Sequence, residues 1–200
     1  MTLRVPVVGP SVPRRGNALS RGLGRLVLRG LGWRIEGEMP DLPRCVAIVA
    51  PHTSNWDFLV AFGALLALGL RGRFLGKDTL FRPPLGFLLG WAGGLPVDRA
   101  RPEGVVEQAV AALRGEAFFL GLAPEGTRRR VDRFKTGFHR IAAGAGVPVW
   151  PVSIDHRARV LGFHAPLWPT ADLEADLARL QSHFDAAMAR YPAEYGVPPG

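Results

Sequence analysis

The sequence predicts a single-domain α/β fold, with a mainly parallel central sheet covered by helices. Three observations carry that expectation. Short apolar runs (Val46 to Ala50, Ala117 to Leu122, Val147 to Ile154) alternate with longer segments of helical period. The 200 residues, 48% of them hydrophobic and 21% charged, suffice for one substantial core. No repeat, low-complexity tract or linker divides the chain.

The elements follow in order. Residues 1 to 16 read as a flexible arm, broken by Pro6, Gly9, Pro10 and Pro13 and lacking the apolar core of a signal peptide. The domain proper is expected over 17–200. Residues 17 to 34 predict a basic amphipathic helix, in which Leu19, Leu23, Leu26, Val27, Leu28 and Leu31 mix with Arg21, Arg25, Arg29 and Arg34. Such a helix suits an anionic membrane surface, or it packs its leucines inward beneath a solvated basic face; both readings stay open. Four glycines weaken its helical propensity.

Val46 to Ala50 predicts a buried strand and Asp57 to Leu68 a largely buried helix. Arg73 to Gly76 is a short strand, Glu103 to Arg114 a helix stopped by Gly115, and Ala117 to Leu122 another strand. Gly137 to Ala145 predicts a short helix. The prolines of Val147-Pro-Val-Trp-Pro-Val-Ser-Ile154 place that strand at an edge or a bulge. Leu173, Leu177, Leu180, Phe184 and Met188 mark one face of a closing helix ended by Pro192. The longest near-uninterrupted apolar stretch, Phe58 to Leu70, is shorter than the roughly 20 residues a membrane span requires.

Charge narrows the partners. The net charge is +8 and the cations are almost all arginine, with Lys77 and Lys135 the only lysines. Guanidinium groups grip phosphate in a bidentate fork, so phosphorylated substrates, an acidic carrier protein, an anionic membrane or nucleic acid fit this balance. Cys45 stands alone, which excludes an intrachain disulfide and a cysteine zinc cluster.

Three stretches carry chemistry. His52-Thr-Ser-Asn-Trp-Asp57 puts an imidazole at a strand exit and a carboxylate in the first turn of the next helix. Ser54 or Asn55 is suited to cap that helix, and the Asp57 carboxylate can then fold back onto His52. That contact fixes the imidazole tautomer and leaves the other ring nitrogen free as a base. In Ala123-Pro-Glu-Gly-Thr-Arg128, Gly126 permits a tight turn, Thr127 caps or donates, and Arg128 supplies charge for a phosphate. Glu125 would repel that phosphate, so it accepts from a ligand hydroxyl or holds the loop. Gly76-Lys77 and the apolar, glycine-rich run from Leu80 to Asp98-Arg99 suit a slot for an acyl chain with cations at both ends.

In order and spacing these blocks resemble the lysophospholipid acyltransferase family, whose best-known members are the 1-acylglycerol-3-phosphate acyltransferases. His52 to Asp57, Gly94-Leu-Pro-Val-Asp98-Arg99, Pro124-Glu-Gly-Thr-Arg128 and Val147-Pro-Val-Trp-Pro151 match its four blocks over roughly residues 45 to 155. The resemblance implies a glycerol-3-phosphate acyltransferase-like fold, His52 as general base, Asp57 as its partner, and Arg99, Glu125, Gly126 and Arg128 around the acceptor. Lys77 and Thr127 join that expected substrate-binding set. The expected reaction moves a fatty acyl group from a thioester, on coenzyme A or acyl carrier protein, to a hydroxyl of an anionic lysolipid. A lysophosphatidate-type acceptor leads. No metal, cofactor or nucleic acid is expected, and the expected location is the cytoplasmic, inner face of a membrane, held peripherally.

Two departures mark this chain. Alanine precedes Pro124-Glu125-Gly126, and Arg129 replaces a small residue. The chain is also shorter than typical members and lacks their clear transmembrane helices, so it resembles a compact subgroup whose acceptor need not be lysophosphatidate. Two other readings compete. Ser54 would be the nucleophile of a hydrolase, although no G-x-S-x-G elbow is present. A non-catalytic basic module binding membrane or nucleic acid is the other, although no RNP motif or zinc finger accompanies the charge.

Overall fold

The computed structural model describes residues 4–97 and 102–197. Seven strands form one sheet in the order β1-β7-β6-β2-β5-β3-β4: β1 Arg34–Gly37, β2 Cys45–Ala50, β3 Gly72–Lys77, β4 Gly94–Val97, β5 Phe119–Leu122, β6 Val149–Asp155 and β7 Val160–Phe163. All neighbours run parallel except β6 and β7. Among the described residues six α-helices accompany it: α1 Ala18–Gly30, α2 Asn55–Leu68, α3 Leu85–Trp91, α4 Pro102–Gly115, α5 Gly137–Ala145 and α6 Leu173–Gln181. The mainly parallel α/β expectation holds.

Two cores follow from the two-residue period of the strands. Val46, Ile48 and Ala50 of β2 point to one face, where α4, α5 and α6 supply Leu113, Phe138, Ile141 and Leu180. Cys45 and Ala47 point to the other, covered by Leu28 of α1 and Val60, Ala64 and Leu68 of α2. Gly24 is what lets α1 lie so close to α2. A Cβ there would stand 2.6 Å from the Gly63 carbonyl oxygen and 2.4 Å from the Ala67 nitrogen.

On α1 the buried residues are Gly24 and Leu28, while Leu19, Leu23 and Leu26 are exposed. The leucine stripe is therefore split, one part on α2 and one part in solvent. In the segment expected as an arm, Val12 is buried, the Arg71 amide donates to Pro13, and Arg14 bonds the Leu68 carbonyl.

Two element expectations change. The strand with prolines is not an edge: β6 lies between β2 and β7 and is buried almost throughout. Pro151 is accommodated because it falls between the last β7 pairing, Val152 with Phe163, and the isolated bridge Val149–Leu167. Its missing N–H is not required there, and its carbonyl accepts from His164. The closing helix ends at Gln181, well before Pro192. Phe184 is buried all the same, and the Asp185 side chain caps a separate 3-10 turn, Ala186–Met188.

Candidate active site

Parallel strands exit a sheet at one edge, and the functional side chains gather there. β2 leads into His52, its neighbour β5 leads into Glu125, and its other neighbour β6 leads into His156. Residues remote in sequence thus meet because three adjacent strands point the same way.

The His–Asp spacing has a local cause in helix capping. Ser54 is the N-cap of α2, its hydroxyl accepting from the Trp56 amide at 3.2 Å. Asp57, three residues on, completes a capping box by accepting from the Ser54 amide at 2.7 Å. The box folds the carboxylate back toward the strand exit, where Asp57 Oδ2 lies 3.2 Å from His52 Nδ1. Asp57 is 1% exposed and the His52 side chain 26%. Burial raises the Asp57 pKa, but hydrogen bonds from His156, His52 and the Ser54 amide outweigh it and hold the carboxyl at about 2. Ser54 is buried and engaged as a cap, which removes it as a free nucleophile.

Glu125 has a structural duty that the sequence left undecided. Its Oε1 accepts from the His52 backbone amide at 2.7 Å, so it braces the loop carrying the imidazole. The group is 3% exposed, and its Oε2 has no hydrogen-bond partner among the described residues. Burial pushes its pKa up to about 7. Gly126 turns the loop at φ +67°, where a Cβ would come within 2.8 Å of Lys135 Cδ. The Thr127 hydroxyl accepts from the Arg129 amide at 3.3 Å. Arg128 donates to the Asn55 side chain at the start of α2, tying this loop to the histidine loop.

Beside these loops a cavity of about 670 Å³ is lined by Thr53, Thr127, Arg128, Arg129, Tyr191, Ala193 and Glu194. Arg128 and Arg129 bring two cations to it and Glu194 one acid, and the two guanidinium groups suit an anionic headgroup. The segment from Tyr191 to Glu194 was not foreseen; the Tyr191 amide donates to the Thr53 hydroxyl at 3.3 Å.

The structure brings together His52, Asp57, Glu125, Gly126, Thr127 and Arg128. Lys77 ends β3 in register with Val97 of β4, two strands removed from β2. Arg99 lies outside the described residues. The expected acyl slot differs in detail: a Cβ at Gly76 or Gly94 would stand 2.8 or 2.6 Å from the Phe81 ring, so these glycines accommodate that ring. Other aromatic groups around this region are exposed: Phe58, Phe87 and Trp91. Phe58 stacks on Phe62 at 5.9 Å, Phe62 meets Trp91 at 6.4 Å, and Phe87 and Leu88 are exposed nearby in sequence on α3.

The Acyltransferase family model matches residues 36–155, more than half of the chain and all of this geometry up to the end of β6. The chain belongs to the acyltransferase family. A 1-acyl-sn-glycerol-3-phosphate acyltransferase of Limnanthes douglasii is 30% identical to this chain over 148 residues, 70% of this chain and 51% of the relative. The Escherichia coli (strain K12) protein of the same name is 30% identical over 113 residues, 53% of this chain and 45% of its own. The chain thus spans about half the length of these relatives. Among solved structures it resembles the 1-acyl-sn-glycerophosphate (LPA) acyltransferase PlsC from Thermotoga maritima. The TM-score is 0.56 at 25% identity, covering 80% of this chain and 72% of that one. No helix among the described residues is long and apolar enough to cross a membrane.

Proposed function

We propose that this acyltransferase moves a fatty acyl group from a thioester, on coenzyme A or acyl carrier protein, to a hydroxyl of an anionic lysolipid of lysophosphatidate type. The observation that carries the reading is a half-open imidazole backed by a buried, ionised Asp57, beside a cavity bearing Arg128 and Arg129. His52 Nδ1 faces Asp57, so Nε2 is the nitrogen left for substrate. It takes the proton of the acceptor hydroxyl as that oxygen attacks the thioester carbonyl. The carbon–sulfur bond breaks, and the proton passes to the departing thiolate. Asp57 stabilises the imidazolium in between.

Arg128 and Arg129 hold the acceptor's phosphate, and much of the rate comes from fixing both substrates together. The reaction as written uses no metal and no covalent acyl-enzyme. The outward aromatic face of α2 and α3 offers the acyl chain an apolar bed, and the exposed leucines of α1 rest on an anionic bilayer. On this reading the protein works at the inner, cytoplasmic face of a membrane without crossing it.

Purified protein, vesicles containing lysophosphatidate, and either palmitoyl-CoA or palmitoyl-acyl carrier protein test the reading. Phosphatidate should form with one donor or both. A folded protein that forms none, but retains RNA in a filter-binding assay, would return the chain to the non-catalytic alternative.

A further inference from the structure

Asp57 serves two imidazoles, not one. His156 Nε2 lies 2.6 Å from Asp57 Oδ1, closer than the 3.2 Å between His52 Nδ1 and Oδ2. Oδ2 also accepts from the Ser54 amide at 2.7 Å. Each carboxylate oxygen therefore has its own anchor, and neither can swing away without leaving a buried charge unpaired.

His156 follows the last residue of β6 and is fixed on several sides. Its backbone amide donates to the Met188 carbonyl at 2.8 Å, and its ring meets Trp33 edge-on at 5.0 Å between centroids and 88° between planes. Its side chain is 10% exposed against 26% for His52, and the cavity lining includes Thr53, the residue next to His52, though neither imidazole itself. The two histidines are thus inequivalent. One has a ring nitrogen left for substrate, while the other stands behind the carboxylate. An ionised carboxylate only accepts, so His156 presents Nε2–H to it and Oδ1 is occupied.

We propose that His156 is a positioning residue of acyl transfer: by donating to Oδ1 it locks the Asp57 carboxylate with Oδ2 toward His52, and so keeps the His52 base in its working tautomer and orientation. The inference rests on His52 being the base, as argued above. Without His156 the carboxylate rotates about its Cβ–Cγ bond to share its remaining donors, and the His52 ring loses a fixed partner. Substrate grip, which the proposed reaction assigns to Arg128 and Arg129 of the cavity, is untouched.

Five variants test this in the vesicle assay with palmitoyl-CoA, each first checked for a cooperative thermal transition. His156→Ala should lower kcat by about 10–100-fold, the scale on which losing an orienting partner acts, with KM for lysophosphatidate changed less than about twofold. His156→Gln, whose amide N–H reaches where Nε2–H lay, should restore kcat to within about fivefold of the parent. His156→Asn keeps a polar group too short to reach Oδ1; it should behave as the alanine variant does and replaces it if alanine does not fold. His52→Ala combined with His156→Ala should be no slower than His52→Ala alone, because the second residue acts through the first.

Full activity in folded His156→Ala or His156→Asn, a loss confined to KM, or a glutamine variant as slow as the alanine one would overturn the proposal. With His52→Ala inactive, those results leave the proposed reaction standing. An active His52→Ala overturns both, and if His156→Ala is then dead, His156 is itself the base.

Discussion

Among the described residues two buried aspartates pair with histidine, Asp57 and Asp176, and only Asp57 stands beside a cavity-lining loop. His139 Nε2 lies 2.9 Å from Asp176 Oδ2, and Asp176 also accepts from the Thr170 amide at 2.6 Å. That pair joins α5 to the first turn of α6, with the imidazole and carboxylate 10% and 1% exposed. The Asp57 pair has similar distances and a similarly hidden acid. It differs in where it stands: at the exits of parallel strands, with an imidazole half open beside a cationic cavity. A hydrogen-bonded imidazole is thus not by itself a base. One ring nitrogen must face the acid and the other must face room for a substrate.

The largest expected contrast is between His52→Ala and His139→Ala. The first should cut kcat by about 10²–10⁴ and leave the thermal midpoint little changed. The second should keep kcat in the folded fraction and lose about 3 kcal/mol of stability, read by urea denaturation. Equal loss of turnover in both would erase the distinction.

Next in size is Arg128→Ala. Losing a charge-assisted contact of about 1.5–3 kcal/mol should raise KM for lysophosphatidate by about 10–100-fold, measured by initial rates, with kcat falling less. Glu125→Gln should act through pH. The Glu125 pKa is raised on folding from 4.5 to about 7, so its contribution to stability is present below pH 4.5 and lost as pH rises through about 7. The glutamine protein should gain stability relative to the parent between pH 5 and pH 8, by about 1–3 kcal/mol in denaturant titrations. Asp57 has the opposite sign: its support is full above pH 4 and disappears as pH falls toward 2, so acid unfolding of Asp57→Asn should be shallower there. The smallest effect belongs to Cys45→Ala, a fully buried thiol on the far core, which should leave kcat within about twofold and cost about 1 kcal/mol.

What the sequence disclosed was what local rules determine. His52, Ser54 and Asp57 are within one turn and its cap, so their spacing alone pointed to a cap at Ser54 or Asn55 and to the fold-back of the acid, while the Ser54–Asp57 capping box emerged only in the structure. Gly126 and Arg128 were legible for the same reason, as parts of one tight loop. Long-range meetings were not. His156 reaches Asp57 from 99 residues away, and nothing in its neighbourhood marks it as more than a surface histidine. One signal was available: the strand before it belongs to a matched block, and strand exits are where ligands gather. Reading that strand as an edge or a bulge hid the signal, because an edge strand would have delivered His156 away from β2. The closing helix was overextended since Phe184 faces the core from a turn and so continues the helical period without the helix.

The brace between Glu125 and residue 52 runs to the peptide nitrogen, not to the imidazole. Swapping His52 for alanine therefore removes the proton acceptor yet spares the strut, so the surrounding loops keep their seats. Such a crippled protein should still gather thioester and lysolipid side by side without consuming them, offering crystallographers a stalled ternary complex.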